Sequence, residues 1–457
     1  MLKAAAGEHL GKNELTRFRE VAERDPPEHP VKELWCIVGR RGGKDAVASA
    51  IATTAAFEDY SRYLRPGERA SVLCLAVDRD QARILLRYIR GYFATNTLFH
   101  DMVERETDSG LELINSVEVI VATNSFRAVR GKTIACVVLD EVAFWRDESS
   151  ANPDEEVYAA LLPGLVTLPG AMLIGISTPY RRSGLLFAKW RDHYGVNDPD
   201  VLVVKGPSTK FNPTLPLSVI EKALAKDAEA ASAEWLAEWR SDLADFVDRI
   251  VVERLVPPGC SERPPEHSLT YVGFCDPSGG SNDSMTLAIA HRQGTTVVLD
   301  CVRERRAPFS PDDVCREFAA TLKSYGITEI RGDRYAAGWP VERFAVHGIK
   351  YEPADKPKNE IYVALLPMLN SNAVALLDNT RLISQLCSLE RRSARSGKDS
   401  IDHPTGGHDD LVNAAAGALV RCGGGLSGSA LWAKLGDDDG FDMRPHSAVL
   451  AAQQRSW

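Results

Sequence analysis

Three groups of residues have the types and spacing to handle phosphate. The first is Gly39-Arg40-Arg41-Gly42-Gly43-Lys44-Asp45. A glycine-rich turn leading through lysine into a helix turns backbone N–H groups toward a β-phosphate, and the lysine reaches the β/γ oxygens. Against the G-x-x-x-x-G-K-[ST] pattern, Val38 stands at the first glycine and Asp45 at the terminal hydroxyl. With that hydroxyl gone, Asp45 either binds Mg²⁺ directly, binds it through water, or caps the helix. Arg40 and Arg41 suit phosphate oxygens; Arg41 suits a hold on neighbouring acids equally well. The second group is Asp140-Glu141, with Ser177-Thr178-Pro179 downstream. In P-loop nucleotide hydrolases, the first acid at such a strand end holds Mg²⁺ and the second polarises the attacking water. A polar residue such as Thr178 at an adjacent strand tip can sense a γ-phosphate and pass that state to a moving element, although a plain strand-end turn fits it too. The third group is Asp276, Asp333 and the pair Asp409-Asp410. Two metal ions roughly 4 Å apart need a convergent set of hard oxygen ligands. Asp409 also fits a helix cap. Asp283 is a weaker candidate, and His408 suits a supporting role.

The elements that must position these groups are legible. Leu34 to Val38 reads as a short buried strand ahead of the turn, and Ala46 to Phe57 as a helix. Ser71 to Val77, Ile134 to Leu139 and Ala171 to Ile176 read as buried strands of a parallel sheet, whose C-terminal edge is where ligands bind. Asp80 to Tyr92 reads as a helix, and so does Asn152 to Leu162, with Asn152 and Pro153 as cap and first turn. Residues 216 to 245 read as helix, and the prolines between Leu255 and Pro265 mark a boundary. Beyond it, Leu269 to Cys275 is a strand delivering Asp276, and the Gly/Ser turn Pro277 to Asn282 follows. Two further strands, a helix at Pro311 to Tyr325 and a strand delivering Asp333 come next. Gly406-Gly407-His408-Asp409-Asp410 opens an Ala-rich helix to about Val420. Acids from the first strand, the fourth strand and a late helix are what a ribonuclease H-like fold supplies to two metals. The expected fold is therefore α/β, a P-loop ATPase domain of the catalytic-glutamate type followed by a ribonuclease H-like nuclease domain. Its expected bounds are an N-terminal arm at 1–30, the ATPase at 31–210, a helical lid at 211–262, the nuclease at 263–422 and a flexible acidic tail at 423–457.

Composition sets limits. The chain has 457 residues, a formal net charge of −9 and nine cysteines with no Cys-x-x-Cys pair. That argues against a zinc or disulfide scaffold and against a surface that coats DNA throughout, while leaving room for a local basic groove. Arg391, Arg392, Arg395 and Lys398 form one basic run, read as a loop before the last acid, and Phe126 to Thr133 is a second. No apolar run approaches the roughly 18 residues of a membrane span, so a soluble, intracellular protein with no membrane partner is expected.

Arg-Arg-Gly-Gly-Lys, Val-Val-Leu-Asp-Glu and Ile-Ser-Thr-Pro, in this order, resemble the ATPase of tailed-phage terminase large subunits, and Asp-Pro-Ser-Gly-Gly-Ser-Asn-Asp and His-Asp-Asp-Leu-Val-Asn-Ala resemble the nuclease motifs of the same family. That family tolerates a departure at the first P-loop position, such as Val38; Asp45 departs from its usual Ser/Thr. The resemblance implies ATP and Mg²⁺ at the first site, two Mg²⁺ or Mn²⁺ ions at the second, and an arginine finger for which Arg40 and Arg130 are candidates. It implies double-stranded DNA, a portal protein and a small terminase subunit as partners. It also implies a homo-oligomeric ring on the procapsid, monomeric in isolation, working in the host cytoplasm. Two other readings fit parts of the sequence: a helicase-nuclease of repair or defence, and a non-enzymatic docking subunit.

Overall fold

The computed structural model describes residues 1–95, 97–124, 129–145, 153–281, 283–333, 338–393, 399–404 and 407–424. They divide into two compact units, one comprising residues 1–244 with the described residues of 392–399, and the other the remaining described residues from Asp245 onward.

The first unit is built on β1 (Glu33–Val38), β2 (Ala70–Ala76), β3 (Val103–Thr107), β4 (Gly110–Leu113), β5 (Val117–Thr123), β6 (Thr133–Asp140), β7 (Met172–Ser177) and β8 (Val201–Gly206). Their order in one sheet is β3-β4-β5-β2-β6-β7-β1-β8. Strands β5 to β8 in that row are parallel, and β3 and β4 extend it antiparallel. Every side chain of β6 from Ile134 to Asp140 is buried, as a strand covered on both faces requires. One strand, β7, separates β1 from β6. Ile37 pairs with Ser177, and Asp140 pairs with Ile176, so three strand ends reach one edge together. Gly175 makes that close pairing fit: a Cβ there would lie 2.2 Å from the ring of Trp35.

Two expectations are corrected here. Residues 1–30 are no loose arm. Leu2–Ala5 and Lys12–Ala22 are helices, and Phe18 and Ala22, one turn apart, join Ala4 and Ala5 in the core of the sheet. Arg24 fixes the exit by donating to the carbonyls of Asp198 and Val201. Residues 216 to 245 are not one helix. Leu217–Lys226 and Ala228–Leu236 are separated at Asp227, whose carboxylate caps the second helix by accepting from the Ala230 amide. That helix ends where Ala237 turns left-handed at φ 58°. A three-residue strand, β9 (Leu243–Asp245), follows.

The second unit contains β10 (Tyr271–Asp276), β11 (Met285–Gln293), β12 (Thr296–Arg305), β13 (Glu329–Gly332), β14 (Lys350–Pro353) and β15 (Val374–Ala375). Their order is β14-β13-β10-β11-β12-β15. β11 runs antiparallel to β10 and β12, while β13 and β14 run parallel to β10. This is the expected ribonuclease H-like arrangement with one short strand added beside β12. The helix Asp410–Gly423 is buried along nearly its whole length. Its composition follows: alanines and Gly417 leave room for neighbours on every side. A Cβ on Gly417 would lie 2.3 Å from the ring of Phe274 in β10, so the helix backbone rests directly on that ring.

Arg391 and Arg392, expected in a loop, lie in a strand, Glu390–Ser393. Arg395, Lys398, Phe126 to Ala128, Asn152, Asn282, Gly406 and the tail from Gly425 fall outside the described residues. Among the described residues, no helix is long and apolar enough to cross a membrane.

Candidate active sites

The first site lies where β1, β6 and β7 end. The turn after β1 carries Arg41 at φ 61° and Gly43 at φ 81°, and the helix Lys44–Phe57 starts on the lysine. Val38, at the position usually held by glycine, is still a strand residue paired with Gly206. Gly42 lies directly over it, because a Cβ there would be 2.4 Å from Val38 Cγ1. Gly39 is pressed against Ser208 and the carbonyl of Trp235, at 2.3 and 2.7 Å from the Cβ it lacks. Lys44 is buried, and its Nζ stands 2.7 Å from Oε1 of Glu141. The other Glu141 oxygen lies 3.1 Å from Ser177 Oγ and accepts from the Thr178 amide at 3.3 Å. Glu141 itself sits in the left-handed region at φ 49°, a conformation that costs a non-glycine residue about 1–3 kcal/mol. Such strain gathers where a side chain must be aimed.

Asp140 is buried, and its Oδ1 has no hydrogen-bond partner among the described residues. Burial, then Glu141 and Asp45, push its carboxyl up to about 8, with Lys44 opposing. Burial raises Asp45 as well, relieved in part by Lys44. Burial works to lower Lys44, but Glu141, Asp45 and Asp140 outweigh it and hold the ammonium charged. Three carboxylates around one ammonium, with one buried oxygen unpaired, form a donor set that fits a divalent cation.

The two arginine-finger candidates fare differently from this cluster. Arg40 lies in the loop but is exposed and turned outward, with Nη1 3.5 Å from Glu234 Oε1. Its amide donates to the Glu234 carbonyl. Arg130 precedes β6, whereas Asp140 ends it; at about 3.3 Å per residue the two lie roughly 25 Å apart. Arg130 therefore does not join its own chain's phosphate site.

The second site gathers three acids. Cys275 pairs with Gly332, so parallel neighbours β10 and β13 deliver Asp276 and Asp333 side by side. Asp333 is fixed by its backbone: its amide donates to the Cys275 carbonyl at 3.2 Å, and its carbonyl accepts from the Tyr351 hydroxyl at 2.9 Å. On the other flank Thr286, which pairs with Asp276, donates its hydroxyl to the Asp410 carbonyl at 2.7 Å. Burial raises Asp276 well above the usual carboxylate range; a hydrogen bond from Asn413 opposes this, and Asp410, Asp333 and Asp409 add to it. Burial also pushes Asp410 up to about 6, helped by Asp409 and Asp283 and opposed by His408. Asp410 Oδ2 is buried with no hydrogen-bond partner among the described residues. Mutually repelling carboxylates with an unpaired buried oxygen suit divalent cations here too.

Asp409 behaves otherwise. It does not cap its helix through its side chain; Gln385 Oε1 does that work, accepting from the amides of Leu411 and Val412 at 3.0 and 3.3 Å. Instead Asp409 Oδ2 accepts from the Tyr362 hydroxyl at 2.7 Å and lies 3.0 Å from Lys358 Nζ. Asp283 and His408 are both exposed, at the rim of the cluster.

Residues 11–236 match the family model described as the N-terminal P-loop domain of uncharacterized protein MJ0330. The first unit carries a P-loop domain. No curated protein matches the chain. Among solved structures it is similar to the large terminase of bacteriophage HK97, at 15% identity and a TM-score of 0.40, covering 86% of this chain and 91% of that one. It is similar to the large terminase of a thermophilic bacteriophage in complex with ADP, at 13% identity and a TM-score of 0.38, covering 92% and 97%. The large terminase nuclease of thermophilic phage G20c with bound magnesium matches at 19% identity and a TM-score of 0.31, covering 34% of this chain and 84% of that one.

In the P-loop domain, Lys44, Asp45, Asp140, Glu141 and the Thr178 amide lie close to one another, whereas Arg40 turns outward. The sequence reading did not reach Lys358, Tyr362, Gln385 or Asn413 in the second unit. Asn413 had a signal, since it follows Asp410 by three residues and so shares its helix face. Lys358 and Tyr362 are four apart on one helix, Lys358–Asn370, but nothing in their own segment points at an acid some fifty residues away.

Proposed function

We propose that this chain is a terminase large subunit, a DNA-packaging motor that hydrolyses ATP to drive double-stranded DNA into a procapsid and cuts concatemeric DNA with a two-metal endonuclease. The observation that carries the reading is the pairing, in one chain, of a P-loop site with a catalytic-type glutamate and a ribonuclease H-like sheet edge with converging aspartates. Asp140, with Asp45, holds the Mg²⁺ of ATP. The phosphates draw Lys44 from Glu141, and Glu141 Oε1 is then free to orient water. Ser177 and Thr178 hold the opposite oxygen of Glu141 and transmit the change along β7. Asp276, Asp333 and Asp410 hold the nuclease metals, with Asn413 orienting Asp276. Bound divalent ions supply Lewis-acid charge to the phosphoryl and phosphodiester oxygens. The portal protein, a small terminase subunit and further copies in a ring are the partners this reading requires, and a ring would let Arg130 or Arg40 act on a neighbour's site.

The test is cleavage of supercoiled plasmid in Mn²⁺ or Mg²⁺ together with ATP hydrolysis, comparing wild type with Asp333→Ala and Lys44→Ala. Cutting lost only in the first variant and hydrolysis lost only in the second support the reading. Intact plasmid with either metal, or equal cutting by Asp333→Ala, refutes the nuclease assignment. Strand separation of blunt duplex DNA by the wild type favours a helicase-nuclease instead.

A further inference from the structure

The helix Lys358–Asn370 sends two side chains, one turn apart, to a single oxygen. Tyr362 donates its hydroxyl to Asp409 Oδ2 at 2.7 Å, and Lys358 Nζ stands 3.0 Å from the same atom while reaching Asp402 Oδ1 at 2.8 Å. Tyr362 is fully buried and Asp409 is 5% exposed, so neither partner has water as an alternative. Adjacent Asp410 is in the opposite state, with a buried oxygen that no described residue satisfies. Two neighbouring aspartates of one chemistry are thus treated in contrary ways: one oxygen of Asp409 is held by a cation and a hydroxyl, while Asp410 keeps a buried oxygen with no partner among the described residues. Both lie close enough to Asp276 to perturb it. A free Asp409 would therefore be a competing ligand beside the same ions.

We propose that Lys358 and Tyr362 are positioning residues that pin Asp409 away from the nuclease metals, so that Asp410 alone of the pair completes the set with Asp276 and Asp333. The inference rests on the nuclease reading above. The ammonium lies against both Asp409 and Asp402 and offsets part of their charge beside the ligand cluster. The hydroxyl fixes the rotamer of Asp409. Octahedral ions near 2 Å from their ligands tolerate little ambiguity in which carboxylate they meet, so a supporting shell that removes the ambiguity sustains turnover.

The experiment titrates MnCl₂ by calorimetry into full-length wild type and variants, with plasmid cutting measured in parallel. Asp410→Asn is expected to weaken Mn²⁺ binding about tenfold or more, and Asp409→Asn to leave it within about twofold. Lys358→Met frees Asp409, so Mn²⁺ binds about threefold or more tighter while cutting falls about 10–100-fold. Adding Asp409→Asn to Lys358→Met returns the Mn²⁺ affinity to the wild-type value, a dependence on Asp409 that a merely structural lysine would not show. Lys358→Arg restores most of the cutting. Tyr362→Phe, which keeps the ring in place, shifts affinity and cutting in the same directions by smaller factors and serves where Lys358→Met fails to fold. The inference is overturned if Asp409→Asn abolishes Mn²⁺ binding as Asp410→Asn does, or if Lys358→Met and Tyr362→Phe leave the affinity unchanged. A wild type that neither binds Mn²⁺ nor cuts instead brings down the nuclease reading, and this inference with it.

Discussion

Gly417→Ala tests whether the contact between the last helix and β10 sets the nuclease geometry. The added Cβ would lie 2.3 Å from Phe274 Cγ and 2.4 Å from Cδ1 and Cδ2. Carbon atoms sit comfortably at about 3.5–4.0 Å, so the helix or the ring must give by about 1.2–1.7 Å. Phe274 is itself 3% exposed and packed within the core, which leaves the helix as the part that moves. Asp410 begins that helix, two turns before Gly417, and shifts with it by about 1 Å. A misplacement of that size costs about 100-fold in a positioned reaction. Stability changes less. Overpacking costs about 1–3 kcal/mol, and replacing glycine by alanine within a helix returns about 1 kcal/mol. The midpoint of thermal unfolding should therefore fall by only a few degrees. ATP hydrolysis should be unchanged, because Gly417 belongs to the second unit. Plasmid nicking in Mn²⁺, calorimetric melting and steady-state ATPase measurements on the same preparation check all three. A folded Gly417→Ala protein that cuts at the wild-type rate would refute the idea that this contact places Asp410.

Glu141→Gln should lower ATP hydrolysis about 100-fold or more while nucleotide binding and plasmid cutting persist; hydrolysis within a few-fold of wild type would remove Glu141 from the role of water-orienting residue. Gly39→Ala should weaken binding of a fluorescent ATP analogue about tenfold or more, because its Cβ would meet Ser208 Oγ at 2.3 Å and the Trp235 carbonyl at 2.7 Å. Unaltered binding would mean that the turn relaxes without cost. Mn²⁺ affinity should fall as pH drops through about 6, where Asp410 takes up the proton that a metal must displace, and calorimetry between pH 5 and pH 8 reads this directly. The sign for stability is the reverse of a salt-bridged carboxylate. Burial raises Asp410 above its unfolded value, so its favourable contribution is present at low pH and lost as pH rises through about 6, and bound Mn²⁺ should restore melting temperature most at neutral pH.

What the sequence made legible were features carried by local pattern. Buried strands announced themselves as apolar runs, and the acids at their ends followed from where such runs stop; Asp140, Asp276 and Asp333 all lie within a residue of a strand end. Val38 looked like a fault in the glycine pattern and is a paired strand residue beneath Gly42. The errors came where tertiary contacts outvoted composition. Residues 1–30 are polar enough to read as an arm, yet a stripe of only a few small and aromatic side chains holds their helices on the sheet. The stretch to 245 is alanine-rich enough to read as one helix, yet Asp227 and the left-handed Ala237 break it.

The ambiguity between Asp409 and Asp410 was of another kind, because no local pattern distinguishes two consecutive aspartates at a helix start. Their roles are separated by Lys358 and Tyr362 on one side and Thr286 on the other, groups brought in from distant elements. Two donors on one oxygen are what mark Asp409 as an anchor, and an unsatisfied buried oxygen is what marks Asp410 as a ligand in waiting. Asp140 carries the same mark in the first unit. In both units one of the acids proposed to meet an ion is buried with an oxygen that no described residue satisfies, a costly state that a bound cation relieves. Sequence can nominate acids at strand ends, but only the surrounding donors decide which of them the fold has left open.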